Sequence, residues 1–187
     1  MLKNTQYGYG WIAIFLHWLV AIAVFGLFGL GLYMVDLSYY DSWYKGSLDL
    51  HKSIGITLAL VFTLRLVWRI TQVTPRAADP TLVWQNRLAH IAHGLLYVLL
   101  AVLLMTGYLI STADGRGIEV FSLFTVPSMG EFIDNQEDIA GLIHEYVAWS
   151  LIIFAALHAL AALKHHFINR DRTLTRMLKA TKGDNHE

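Results

Sequence analysis

The chain has no cysteine. That excludes disulfides, thiolate ligation of zinc or iron–sulfur clusters, and the Cys-x-x-Cys-His attachment of a c-type haem. Charge is scarce too: Asp, Glu, Lys and Arg make up 15% of the 187 residues, against roughly 25% in soluble proteins. Apolar residues take the space, at 56%, above the roughly 45–50% of a soluble domain even when glycine is counted in the latter. Acids and bases balance at 14 each, so net charge points neither to nucleic acid nor to an acidic partner. The composition is that of a membrane protein, and the length that of one domain.

The spans are read from the positions where charge is missing. No charged residue lies between Lys3 and Asp36, between Arg87 and Asp114, or between Glu145 and Lys164, and only Arg65 and Arg69 interrupt Ser53 to Ile70. About 20 apolar residues cross the hydrocarbon core, so four transmembrane helices are expected near 11–35, 50–71, 86–111 and 141–166. The first exceeds a usual signal-peptide core, lacks a strongly basic flank and is read as retained. Arg69, Arg76 and Arg87 join helices two and three. Lys164, Arg170, Arg172, Arg176, Lys179 and Lys182 mark the last helix end and the tail, 167–187. Both regions belong in the cytoplasm by the positive-inside rule, which puts both termini there. The other two loops carry Asp36, Asp41 and Asp49, and Asp114, Glu119, Glu131, Asp134, Glu137 and Asp138; they face the periplasm. The longer one, about 112–140, has Gly115, Gly117, Pro127 and Gly130 and is expected to hold a short surface helix near its end.

Four histidines then stand out: His17, His51, His144 and His158, each within or at the lip of an apolar stretch. Ionisable side chains at such depths are rare and need a reason. His144 and His158 are 14 residues apart on helix four, which returns to within about 40° of one face and separates them by about 21 Å. One metal cannot bind both; two cofactors at two depths can. His51 matches His144 at the outer level and His17 matches His158 at the inner one. Bis-imidazole ligation of two b haems follows, and it closes both axial positions so that each iron carries electrons rather than activating oxygen. Arg65, 14 residues after His51, falls at the inner level, where a haem propionate would satisfy its charge. The competing reading is a helix bundle with polar cross-links.

The segments FLHWLVA, LHKSIG, RLAHIAHGLLY and IHEYVAWSLIIFAALHALAALKHHFINRDRTLTRM resemble the bacterial cytochrome b561 family over nearly the whole length. The resemblance implies a four-helix inner-membrane protein with two non-covalent b haems, their ligand positions matching His17, His51, His144 and His158. It further implies exchange with the quinone pool, with ubiquinone as redox partner. Some relatives oxidise superoxide at the periplasmic side. LSYYDSWY and LISTADG are similar to a branch associated with a periplasmic isoprenoid-binding protein.

Other residues keep several readings. His90 and His93 share a face at the start of helix three: propionate hydrogen bonding, a quinone or proton role, replacement of His17 as ligand, and a plain interfacial position all remain open. His165 is seven residues past His158, about 20° off its face and about 10 Å further along. It is the candidate to hydrogen-bond a quinone and relay its proton; His166 is turned away, and a solvated interfacial pair is the alternative. Lys52 beside His51, with Arg116, offers positive charge for anion access to the outer haem, yet the outer loops as a whole are acidic. Trp18 and Trp149 are read chiefly as packing, and Gly26, Gly29, Gly31 and Gly55 as close-approach positions.

Three functions are compatible with these residues. The chain relays single electrons between the periplasmic face and quinone, as a superoxide:ubiquinone oxidoreductase in its enzymatic form. As an electron-transfer subunit it serves a separate periplasmic redox or isoprenoid-binding partner. As a non-redox bundle it handles quinone or is structural.

Overall fold

A computed structural model describes residues 1–180; Lys182 and the rest of the tail, 181–187, lie outside the described residues. The described chain has four long helices, each apolar enough to cross a membrane: α1 (Trp11–Val35), α2 (Tyr44–Thr71), α3 (Val83–Thr112) and α4 (Gln136–Lys164). Their surfaces explain the composition. Phe15, Ile22, Leu60, Val98, Met105, Ile153 and Leu160 are all exposed, an outward apolar face that only lipid can cover.

Three helices start earlier than charge alone predicts, α3 by three residues and α2 and α4 by more. Asp41 builds the turn before α2, its carboxylate accepting from the Ser38 amide at 2.7 Å and its carbonyl from the Tyr44 amide at 3.1 Å. Lys45 and Asp49 then ride in the first turns. At α4, Gln136 accepts from the Phe132 amide at 2.9 Å and donates to the Leu109 carbonyl at 3.0 Å, and Glu137 and Asp138 follow in the first turn, where the helix dipole favours carboxylates. The surface helix expected near the end of the outer loop is absent among the described residues. Its acids begin α4 itself, and the loop instead forms an antiparallel hairpin, β1 (Ile118–Val120) with β2 (Phe124–Val126), in which Ile118 faces Val126.

The chain divides into two compact units, each with a segment of all four helices. The hairpin unit comprises Ile22–Leu60 and Leu96–Ile152; the tail unit comprises Met1–Ala21, Val61–Leu95 and the chain from Ile153. In the hairpin unit Ile118 and Val120 are buried, and the Ser53 hydroxyl accepts from the Phe121 amide at 3.0 Å, fixing the turn to α2. In the tail unit α4 ends in a π-helical turn, His165–Asn169, and a short 3-10 turn, Thr175–Met177, follows. The Trp18 indole N–H donates to the Met177 carbonyl at 2.7 Å, holding the tail against α1.

Candidate haem-binding sites

In the hairpin unit α2 and α4 bring His51 and His144 together, ring centroids 6.4 Å apart and planes at 67°. In the tail unit α1 and α4 do the same for His17 and His158, at 6.4 Å and 74°. Two imidazoles trans on one metal, with bonds of about 2.0 Å and about 1.1 Å more from nitrogen to ring centre, have centroids about 6.3 Å apart. Both pairs therefore fit a haem iron between them.

Second contacts set which nitrogen is offered. His144 Nδ1 lies 3.1 Å from the Leu103 carbonyl and 3.2 Å from the Thr106 hydroxyl. A carbonyl only accepts, so Nδ1 carries the proton and Nε2 keeps its lone pair for a metal. The Thr106 hydroxyl donates within α3, to the Val102 or Leu103 carbonyl. Small residues give the rings room: a Cβ on Gly107 would stand 3.1 Å from His144 Cε1, and one on Gly31 would stand 3.5 Å from His51 Cε1. The His51 Nδ1 atom is buried without a hydrogen-bond partner among the described residues. His51 therefore lacks the acceptor that fixes the tautomer of His144, and its claim as a ligand rests on its distance from that ring.

In the tail unit the Arg65 guanidinium donates to His17 Nδ1 at 3.1 Å. Arg65 thus reaches the inner pair, the level expected from its spacing. His93 lies closer to His158, at 5.1 Å, too short for those two rings to be trans ligands of one iron. His90, one turn earlier, is exposed.

At the end of α4, His165 Nδ1 meets an Asp171 carboxylate oxygen at 2.5 Å and the Asn169 amide at 3.2 Å. Gln85 accepts from Lys164 at 3.1 Å beside them. Asp171 is nearly buried; desolvation pushes its carboxyl up, but hydrogen bonds from Thr173 and His165 outweigh this and hold it below the ordinary range. His166 joins no such group and packs edge-on against exposed Phe167.

Near His51 the positive charges are not left to a ligand. Lys52 lies 3.7 Å from Asp49, and Arg116 is held by Asp114 at 2.5 Å, which keeps the Asp114 carboxyl below its usual range. A cavity of about 320 Å³ beside them is lined by Asp49, Leu50, Ser53, Glu119, Phe121 and Ser122. Trp149 packs edge-on against Phe28 at 4.9 Å, a packing contact as expected. Thr106, Gly107 and Asp171 were not singled out by spacing: helix three supplies no histidine at that level, and Asp171 reaches His165 only through the π turn.

The sequence profile of prokaryotic cytochrome b561 matches residues 8–180. The chain belongs to the prokaryotic cytochrome b561 family. It is 45% identical to cytochrome b561 homolog 2 of Escherichia coli K12 over 181 residues, covering 97% of this chain and 96% of that one. Identity to the probable superoxide oxidase CybB of Yersinia pestis is 28% over 176 residues, 94% and 98% of the two chains. Cytochrome b561 homolog 1 of Escherichia coli K12 shares 26% over 172 residues. Membership makes this cytochrome b561 a multi-pass electron-transfer protein of the bacterial inner membrane, in a family that carries b-type haem and works with quinone or other redox partners.

Proposed function

We propose that this cytochrome binds two b haems, one between His51 and His144 and one between His17 and His158, and relays single electrons between the periplasmic face and ubiquinone. The observation that carries this reading is the repeated imidazole separation of 6.4 Å. Bound there, haem would supply reversible one-electron chemistry with no open axial position. His144 is set for ligation through Nε2 by its bond to Leu103. His17 differs, because Arg65 occupies its Nδ1; ligation through Nε2 requires Arg65 to turn away, and a propionate is the anion that draws it. His93, beside His158, is then left for a propionate or a proton rather than for iron. Quinone is placed at the end of α4, with His165 as hydrogen-bond partner and proton carrier, at the cytoplasmic side by the positive-inside rule.

For the electron donor we favour a separate periplasmic partner with a basic surface. Superoxide is an anion, and the two cations near His51 that would attract it are each paired with an aspartate. The adjoining cavity is lined by Asp49 and Glu119, which repel anions and suit lysine or arginine side chains. The second reading, superoxide oxidation, rests on the relative named a probable superoxide oxidase.

A pyridine haemochrome assay on the loaded protein should give two non-covalent haems per chain. His144→Ala and His158→Ala should each cost one, with His51 grouping with His144 and His17 with His158 in the spectral component lost. One haem or fewer in the loaded parent overturns the two-cofactor reading.

A further inference from the structure

We infer that Asp171 is a positioning residue for quinone chemistry, holding the His165 proton on Nδ1 so that Nε2 alone meets the quinone oxygen. The inference rests on the placement of quinone at His165 and names the device that makes His165 work.

In a continuing α-helix, residue 171 would lie about 240° around from residue 165 and about 9 Å further along, out of reach of its ring. Instead the chain widens into the π turn at His165–Asn169 and reverses at Arg170, whose φ of 56° puts a non-glycine residue in the left-handed region. Such a conformation is costly and persists only where its surroundings demand it. Here the amides of Arg170 and Asp171 both donate to the His165 carbonyl, the latter at 3.1 Å. The reversal carries the Asp171 carboxylate back onto the His165 ring at 2.5 Å. Its other oxygen accepts from the Thr173 amide at 2.8 Å, so the carboxylate is itself fixed.

The chemistry follows from what each group can donate. A carboxylate accepts only, so the proton between the two residues belongs to Nδ1 whether the imidazole is neutral or charged. Nε2 is then the one ring nitrogen able to take a proton, and the carboxylate stabilises the imidazolium that results. Oxidation of a quinol to the quinone releases two electrons and two protons; the electrons leave singly to the neighbouring haem. One hydroxyl proton passes to Nε2 of His165 and from there to water at the membrane surface, and the second leaves directly to that water. Quinone reduction runs the same transfer backwards. His166 has no carboxylate partner among the described residues, which separates the two adjacent histidines chemically.

The test uses the haem-loaded protein in detergent, with decylubiquinol as reductant and stopped-flow haem reduction as the readout. Asp171→Asn should lower kcat by about tenfold to a hundredfold, the range for losing the group that orients a working imidazole, with KM changed by less than about twofold. Haem spectra and reduction by dithionite should be unchanged, and Asp171→Glu should recover most of the rate. In a His165→Ala background Asp171→Asn should cost nothing further, because Asp171 acts through the imidazole. A His165→Ala protein with normal quinol kinetics overturns the quinone placement and the inference with it. A slow His165→Ala protein beside a normal Asp171→Asn protein overturns the role of Asp171 alone. So does an Asp171→Asn defect that persists in the His165→Ala background, or one that comes with altered haem spectra and no recovery in Asp171→Glu; either makes Asp171 a structural clasp.

Discussion

At the residue scale, the proposed ligand set is defined as much by what stands behind each imidazole as by the imidazole itself. Gly107 and Gly31 both back a histidine ring, but at different distances, 3.1 Å and 3.5 Å to an added Cβ. The first is tighter than most packed contacts, so the ring must give by a few tenths of an ångström, and the second is ordinary contact; Gly107→Ala should displace His144 and weaken or shift the outer haem signal. Gly31→Ala should leave the reduced-minus-oxidised spectrum near normal; an identical response from the two variants would contradict the geometry. Arg65 is the corresponding test of the inner pair. Arg65→Leu removes a positive charge beside His17, so the inner haem should fall in potential or occupancy in a redox titration while the outer one holds. The histidines themselves were legible because a spacing of 14 recurs on one helical face. Thr106 and Gly107 were not, because a threonine and a glycine in an apolar helix carry no mark of their neighbours until the helices are packed.

At the element scale, absence of charge located every span, yet charge set three of the four helix starts too late. Lys45 and Asp49 lie inside α2, and Glu137 and Asp138 inside α4, because a helix emerging from lipid continues with its polar residues in water. The hairpin left no trace: its strands are three residues each, and Phe121 and Ser122 occupy the left-handed region in place of the usual glycine or asparagine. The turn after α4 was equally hidden, since heptad arithmetic continues an α-helix through His165 where the backbone widens. That turn has a pH dependence with a definite sign. The Asp171 carboxyl is held below its ordinary range in the folded state, so the unfolded segment binds protons more readily. Its stabilisation is present above the ordinary carboxylate pKa of about 3.9 and is lost as pH falls through the lower folded value. Pepsin cleavage between residues 165 and 180 should therefore begin only in that acid window, and should begin at higher pH in Asp171→Asn.

At the scale of the whole molecule, the charge balance of zero conceals an asymmetry between loops. Acids gather in the loops on the hairpin side, and two of the bases there, Lys52 and Arg116, are engaged in ion pairs. Long-range attraction or repulsion fades once the Debye length drops to about 10 Å at 0.1 M salt. Electron transfer from a basic donor protein should slow as salt rises, whereas any reaction with superoxide should speed up, because screening removes a repulsion. Stopped-flow haem reduction at a series of ionic strengths distinguishes the two donors by the sign of the slope alone.

The planes of the paired imidazoles stand at 67° and 74° to one another. With a haem held between each pair as proposed, each ring's π system would overlap chiefly with one of the two iron d orbitals available to it. Parallel rings would both act on the same orbital and split the two widely. Rings crossed at these angles act on both, leaving the orbitals nearly degenerate and the unpaired spin of the ferric state strongly coupled to its orbital motion. The oxidised protein should then give a highly anisotropic low-spin paramagnetic resonance spectrum, dominated by one broad low-field feature from each haem. Ligand planes turned parallel by a substitution behind either ring would replace that feature with an ordinary rhombic signal.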